Sequence, residues 1–140
     1  MFKIRKATTA DLEKIQTLNT KAFSQNIRWD PDSIEDYSTT PQGEKYYKEA
    51  IQDSNGIFLV CEENGDILGY ANGYDMKANW RKSKYFELSN IGVDPDRRRE
   101  GIGQSLLDEI SIRAKDKGFE RIYLNCYAKN QGALDFYSEN

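Results

Sequence analysis

An α/β domain with elements in the order β-α-α-β-β-β-α-β-α is what this 140-residue chain predicts, and three observations carry the prediction. Apolar residues recur at helical spacing in some segments and form short alternating or continuous runs in others. An Asn-Gly pair, Asn64-Gly65, separates two apolar runs, which is a strong hairpin signal because both central positions of a type I′ turn need positive φ. The stretch Val93-Asp94-Pro95-Asp96-Arg97-Arg98-Arg99-Glu100-Gly101-Ile102-Gly103 joins an apolar strand to an amphipathic helix through a basic, glycine-containing turn.

Taken in order, Phe2 to Lys6 alternates apolar and basic residues, as a half-exposed strand does. Thr8-x-x-Asp11 has the form of a capping box with the shorter acid, and Leu12, Ile15, Leu18 and Ala22 follow at helical spacing, which predicts a helix over about Ala10 to Phe23. The pattern then fades through Trp29 and Asp30-Pro31, with a short helix expected near Ser33 to Tyr37 and a longer one near Gln42 to Gln52. Ile57 to Glu62 and Ile67 to Ala71 flank the Asn64-Gly65 turn as strands, and Tyr85 to Val93 is the next. Ile102, Leu106, Ile110 and Ala114 form a helical stripe that ends near Gly118, a residue able to take a left-handed cap. Arg121 to Cys126 reads as a strand and Asn130 to Tyr137 as the start of a final helix.

Composition narrows the functions open to the chain. The net charge is -3 with acids and bases interspersed, so no global field favours nucleic acid or an anionic membrane; Arg97 to Arg99 is a local cluster that suits a small anionic ligand better. No apolar run approaches the ~20 residues needed to span a bilayer, and the N-terminus lacks a secretory apolar stretch, so a cytoplasmic location and no membrane partner are expected. Cys61 and Cys126 lie far apart and form no C-x-x-C pair, so neither a disulfide framework nor a metal site is indicated. The chain has no histidine, which removes a His-based triad and leaves carboxylate, tyrosine, lysine, cysteine or water to move protons.

The glycine turn has the make-up of a pyrophosphate cradle. A helix start carries unpaired N–H groups and a partial positive charge, so an anion placed there gains hydrogen bonds and dipole energy together. Gly101 and Gly103 let the backbone approach phosphate oxygens, and Arg98 and Arg99 add fork-shaped donors. No G-x-x-x-x-G-K-[ST] motif is present, and Leu106 stands where the third glycine of a dinucleotide-binding G-x-G-x-x-G belongs. The alternative is that the glycines only relax a tight turn and the arginines are a solvated charge run.

Arg98-x-x-Gly101-x-Gly103, preceded by a strand ending in Val93-Asp94-Pro95, resembles the acyl-CoA binding signature of the GCN5-related N-acetyltransferase (GNAT) family. The resemblance covers most of the chain and is sharpest from Glu87 onward. It implies a mixed, mostly antiparallel sheet with a splayed parallel strand pair and helices on both faces. In the family the last helix leads into two more strands; this sequence stops at Asn140 without them, so residues 1–140 are expected to form a single acyl-CoA N-acyltransferase domain, truncated at its C-terminus. The expected co-substrate is acetyl-CoA, with no metal, and the acceptor a primary amine on a small molecule or peptide; a homodimer is compatible with this.

The resemblance also implies site residues. The pantetheine arm and the oxyanion are served in relatives by backbone groups of the strand before the turn, here Ile91, Gly92 and Val93, while the diphosphate is held along Arg98, Arg99, Glu100, Gly101, Ile102, Gly103, Gln104 and Ser105. Gly92 supports that reading, since a strand glycine allows a ligand or another backbone to come close; its alternative is an ordinary β-bulge. Glu87 sits where many relatives keep a glutamate that acts as base through water. Strict period-2 alternation puts it on one face with Ser89, Ile91 and Val93, opposite Phe86 and Leu88, and a salt bridge to Lys82 or Lys84 is its alternative role. Asn130-x-x-Ala133-x-x-Phe136-Tyr137 resembles the second CoA-contacting segment, with Asn130 touching the cofactor and Tyr137 protonating the leaving thiolate; a packed amphipathic aromatic is the alternative for Tyr137.

Cys126 is better explained by packing than by an acyl-cysteine route, because no histidine is present to activate it. Trp29, Tyr37, Tyr46, Tyr74 and Trp80 are candidate walls of an acceptor pocket, and Asp30, Asp32, Glu35 and Asp36 candidate partners for cationic groups beside the amine. A catalytically weak CoA-binding regulatory module is the rival reading of a different class.

Overall fold

The computed structural model describes residues 2–23, 40–77, 79–80, 82–97 and 99–124. Among these residues five strands form one sheet in sequential order: β1 (Lys3–Lys6), β2 (Ile57–Glu63), β3 (Asp66–Asp75), β4 (Tyr85–Val93) and β5 (Arg121–Leu124). The first three pairings are antiparallel and β4–β5 is parallel, giving the mixed, mostly antiparallel sheet that was expected. Among the described residues the helices are α1 (Leu12–Phe23), α2 (Pro41–Gln52) and α3 (Ile102–Asp116).

Local sequence explains the boundaries. Thr8 N–H donates to Asp11 Oδ2 at 2.8 Å, the reciprocal half of the capping box, and a 3-10 turn over Thr9–Asp11 leads into α1. Thr40 Oγ1 accepts from Gly43 N–H at 3.2 Å and Pro41 takes the first turn of α2, where its missing N–H costs nothing. Asn64 and Gly65 both have positive φ, 52° and 86°, as the hairpin reading requires. Gly118, with φ 92°, ends α3 in the left-handed region.

Alternation along β2 divides the interior into two layers. Ile57, Leu59 and Cys61 face α3 and pack with Phe86, Leu88, Ile91, Leu106 and Ile110. Phe58 and Val60 face α1 and α2, packing with Ile15, Leu18, Tyr47, Ile51 and Tyr70. Helices therefore cover both faces, and Val60 and Leu59, both fully buried, mark the centre of the sheet.

Two register shifts correct the simple alternation. On β3, Cys61 pairs with Gly69 but Glu62 with Ile67, leaving Leu68 as the extra residue. On β4, Asn72 pairs with Asn90 but Gly73 with Leu88, leaving Ser89 as the extra residue. Ile91 and Val93 consequently join Phe86 and Leu88 on the α3 side, whereas Glu87 pairs with Tyr74 on the α1–α2 side. The expectation that Glu87 shares a face with Ile91 and Val93 is overturned, because one bulged residue between them reverses every position beyond it.

Pairing of β5 with β4 covers Tyr85 to Leu88, so among the described residues no strand lies against that side of Ser89–Val93 and none lies beyond β5. The expected short helix at 33–37 and the final helix at 130–137 lie outside the described residues, as do Asn125 and Cys126 of the last predicted strand.

Candidate functional site

The glycine turn is fixed from several sides. Asp94 N–H donates to Leu68 O at 2.8 Å and Arg97 N–H to Asp94 O at 2.9 Å, which ties the strand exit to β3 and closes a 3-10 turn over Pro95–Arg97. Lys21 of α1 reaches both Asp94, at 2.9 Å, and Asp96, at 2.8 Å. Arg97 pairs with Glu100 through Nε at 2.7 Å and Nη2 at 2.9 Å, and with Glu63 at 3.1 Å. Arg97 is thus a strap across the turn, and the Glu100 carboxylate is turned toward it; any cofactor contact by Glu100 falls to its backbone.

Two left-handed residues shape the approach to α3. Gly101 is the N-cap with φ 82° and ψ 10°, and Arg99 has φ 69°. An L side chain in that region is strained by about 1–2 kcal/mol, a cost found most often where the backbone has a task. Ser105 N–H closes onto Gly101 O at 2.9 Å. Among the described residues, the N–H groups of Ile102, Gly103 and Gln104 have no protein acceptor, as befits a helix start that is open to an anion. The Gln104 side chain bonds Asp108 at 2.7 Å, so it turns along the helix instead of into the cradle. Arg99 is exposed and, among the described residues, has no carboxylate within ion-pair distance.

The helix start is held hard against the sheet. A Cβ at Gly69 would fall 2.9 Å from Ile102 Cγ2 and 3.1 Å from Leu106 Cδ1. That close approach was not foreseen, although a glycine inside an apolar strand is its natural signal. Gly92 has a steric reason to be glycine: a Cβ there would sit 2.7 Å from the Tyr70 ring. The neighbour is a buried aromatic side chain, and the bulge lies at Ser89 instead of at Gly92.

On the α1–α2 face, β3 and β4 carry a cluster of polar side chains. Tyr74 hydroxyl donates to Glu87 Oε2 at 2.9 Å. Burial first, then the Glu87 carboxylate, pushes the Tyr74 hydroxyl up to about 12, so it keeps its proton at neutral pH. Tyr46 hydroxyl bonds Ser89 Oγ at 2.8 Å, and Asn72 Nδ2 donates to Tyr46 hydroxyl at 3.2 Å. Tyr46 and Tyr74, read from sequence as acceptor-pocket walls, therefore meet at the Ser89 bulge beside Glu87. Asn72 was not foreseen; the signal was an amide interrupting the apolar run Ile67-Leu68-Gly69-Tyr70-Ala71.

Trp80 stands apart from this cluster, 74% exposed, beside a cavity of about 290 Å³ lined with Lys82, Ser83 and Tyr85. Cys61 is buried and its thiol is pushed up to about 11 by burial, which makes it an inert packing group. Among the described residues, no group of three or more Cys, Asp or Glu side chains is placed to hold a metal ion. No helix among them is long and apolar enough to cross a membrane. Arg98, Asn130, Tyr137, Trp29, Tyr37 and the acids Asp30, Asp32, Glu35 and Asp36 lie outside the described residues.

Comparison with known proteins agrees with this geometry. The acetyltransferase (GNAT) family model matches residues 13–140. Over 137 residues the chain is 30% identical to an uncharacterised N-acetyltransferase of Methanocaldococcus jannaschii, covering 97% of this chain and 58% of that protein, so it spans little more than half of that relative. A second uncharacterised N-acetyltransferase, from Bacillus subtilis, is 25% identical over 137 residues, covering 98% of this chain and 87% of that one. The crystal structure of PaiA N-acetyltransferase from Thermoplasma acidophilum in complex with coenzyme A superposes with a TM-score of 0.83 at 21% identity, covering 100% of this chain and 88% of that one, a likeness of fold. The mixed sheet, the strand-turn-helix with its open N–H groups and a family match over nearly the whole sequence lead to one conclusion: this chain belongs to the acetyltransferase (GNAT) family.

Proposed function

We propose that this protein transfers an acetyl group from acetyl-CoA to a primary amine, on a small molecule or a peptide, by direct attack of the amine on the thioester. The observation that carries the reading is the start of α3, where, among the described residues, the N–H groups of Ile102, Gly103 and Gln104 are unpaired and Arg99 stands beside them without an acid partner. That donor set fits a diphosphate: backbone N–H groups, a helix dipole and a guanidinium act on the same anion. Arg98 adds a second guanidinium in the sequence motif.

The chemistry needs three services. The amine must lose a proton, the oxyanion must meet a preorganised N–H, and the leaving sulfur must receive a proton. Glu87, kept in place by Tyr74, is the base. Backbone groups at the end of β4, from Ile91 to Val93, lie beyond the segment that β5 pairs with, which supports their use for the oxyanion and the pantetheine amides. Tyr137 is assigned the proton donor and Asn130 a cofactor contact from their spacing in the second motif.

Calorimetry with CoA and acetyl-CoA tests the cradle, and thiol release from acetyl-CoA across a panel of primary amines tests transfer. Binding with turnover is the expected result. Binding without turnover of any amine makes the protein a CoA-binding regulatory module, and no binding removes the reading altogether.

A further inference from the structure

The segment from Met76 to Lys84, which joins β3 to β4, holds four cations, Lys77, Arg81, Lys82 and Lys84, and no acid, in a chain whose net charge is -3. Its base is closed by Met76 N–H donating to Tyr85 O at 3.0 Å, and Asp75 Oδ1 accepts from Lys77 N–H at 2.8 Å. Two of its lysines have different surroundings. Lys84 is held on the α3 side: its Nζ lies 4.5 Å from the centre of the Phe119 ring, and its backbone O accepts from the N–H groups of Glu120 and Arg121. Lys82 is exposed, and among the described residues no carboxylate stands within ion-pair distance of it. With Trp80, Ser83 and Tyr85 it lines the cavity of about 290 Å³, whose mouth carries a Trp80 side chain left 74% exposed. An indole face and an ammonium around one open cavity offer an apolar wall and a positive charge together, the make-up of a site for an anionic group on an apolar stem.

Position along β4 says which molecule brings that group. The open start of α3 lies past Val93 at one end of the strand, and the cavity lies beside Tyr85 at the other, roughly 25 Å away. Glu87 stands between them. Phe86 and Leu88 pack toward α3, so Tyr85 and Glu87 share the opposite face, the one that α1 and α2 cover. Two residues of extended strand separate them, about 7 Å. The cavity therefore borders the proposed base from the end of β4 that lies away from the diphosphate cradle, which is the acceptor's side.

We propose that this cavity binds a carboxylate of the acceptor: Lys82 Nζ supplies the counter-charge, the Ser83 hydroxyl a hydrogen bond, and Trp80 a wall for the carbon chain that leads back to the amine at Glu87. The proposal deepens the acetyltransferase reading and rests on it. It names the acceptor as a primary amine with a carboxylate about 7 Å or more from its nitrogen, carried by an ω-amino acid or an acidic peptide. Polyamines are disfavoured, because their second cation would meet Lys82 and the other bases of the loop.

Steady-state kinetics with matched acceptors is the test: ω-amino acids against n-alkylamines and diamines of the same chain length, and acidic against neutral tripeptides, with CoA calorimetry alongside. In wild type, kcat/KM should favour the acidic member about fivefold or more through a lower KM, and the preference should shrink in high salt. Lys82→Gln should bring the ratio to within about twofold of one, and Lys82→Arg, which keeps the charge, should retain most of it. Lys84→Gln should leave the ratio as in wild type, since that ammonium lies over Phe119. CoA affinity should be the same in all four proteins. The series that shows the preference, amino acid or tripeptide, identifies the carrier of the carboxylate. A wild-type ratio under about twofold in both series overturns the proposal and leaves the acetyltransferase reading standing, as does a Lys82→Gln ratio as large as that of wild type. An equal fall in Lys84→Gln overturns it too, because the preference then belongs to the diffuse charge of the loop. A wild-type protein that binds CoA but acetylates no amine removes the reading, and this subsite with it.

Discussion

Gly92 lies beneath the ring of Tyr70, so close that a Cβ would fall 2.7 Å from Cε1 and 2.9 Å from Cζ. Tyr70 has no room to retreat: it is fully buried, its hydroxyl accepts from Asn19 Nδ2, and its ring packs edge-on to Tyr47 at 6.3 Å. Gly92→Ala should therefore lower stability by about 1–3 kcal/mol, the usual cost of overpacking. Urea titration of the single mutants and of Gly92→Ala with Tyr70→Leu checks the cause. The second change should recover part of the loss, a coupling that independent sites do not show.

Arg99 carries a left-handed backbone and a side chain without a described acid partner, so its two roles pull in opposite directions. Arg99→Gly relieves the φ of 69° and should raise stability or leave it unchanged, while weakening CoA binding roughly tenfold through the lost charge-assisted bonds. Arg99→Lys should restore only part of the affinity, since an ammonium does not reproduce the guanidinium fork. Thermal melts and calorimetry on the same samples separate the effects; a parallel fall of both would show that Arg99 serves the fold alone.

Gly101 has open space where a Cβ would go, with nothing within 4 Å, yet its φ is 82°. Gly101→Ala should cost about 1–2 kcal/mol from backbone strain alone. Gly101→Asn should cost less, because a short polar side chain tolerates the left-handed region. If the two variants are equally destabilised in chemical denaturation, strain at this residue is not the cause.

Most of the architecture was legible because it rests on local rules. The Asn64-Gly65 turn, the Thr8–Asp11 box and the Gly118 cap each depend on residues within a few positions of one another, and the structure has all three. The face on which Glu87 lies was not legible. It turns on Ser89 being an extra residue against the Asn72–Gly73 register, a fact about two strands that no single strand reveals. The requirement for glycine at 69 and 92 was hidden for the same reason: the atoms that demand it belong to Ile102 and Tyr70, on other elements. The basic turn was read correctly as a strand-to-helix junction, but the division of labour among its charges, Arg97 strapped to Glu63 and Glu100 and Arg99 without a described acid partner, follows from three-dimensional neighbours.

Asp11 is a nearly buried carboxylate, and the Arg5 guanidinium holds it below its ordinary value through bonds of 2.8 Å to each oxygen, with Thr8 N–H assisting against the opposing effect of burial. A carboxyl with a lower pKa folded than unfolded adds stability that is complete above the unfolded value of about 3.9 and is lost as pH falls through the folded value. Asp11→Asn should lower stability at neutral pH by about 1–3 kcal/mol and flatten the acid side of the stability profile. Urea midpoints between pH 2 and 7 (about the span of the titration) measure both. An acid limb as steep as that of wild type would assign the loss to other carboxylates, such as Asp94 beside Lys21.

Glu87 gives the most direct trial of the chemistry. Glutamine matches the carboxylate in shape and still accepts from the Tyr74 hydroxyl, so the bond of 2.9 Å and the local packing survive the exchange. What is lost is the capacity to take a proton. Glu87→Gln should therefore cut kcat by roughly 10²–10⁴-fold, the usual worth of a positioned base, while CoA affinity and melting temperature stay close to wild type. Tyr74→Phe should have a smaller effect on kcat, because it removes the support and leaves the base. Tyr137→Phe should also slow transfer without weakening CoA binding. A Glu87→Gln enzyme as fast as wild type would require another group to deprotonate the amine. In a chain without histidine, the described tyrosine on this face that bonds the Ser89 bulge, Tyr46, is then the first candidate to test.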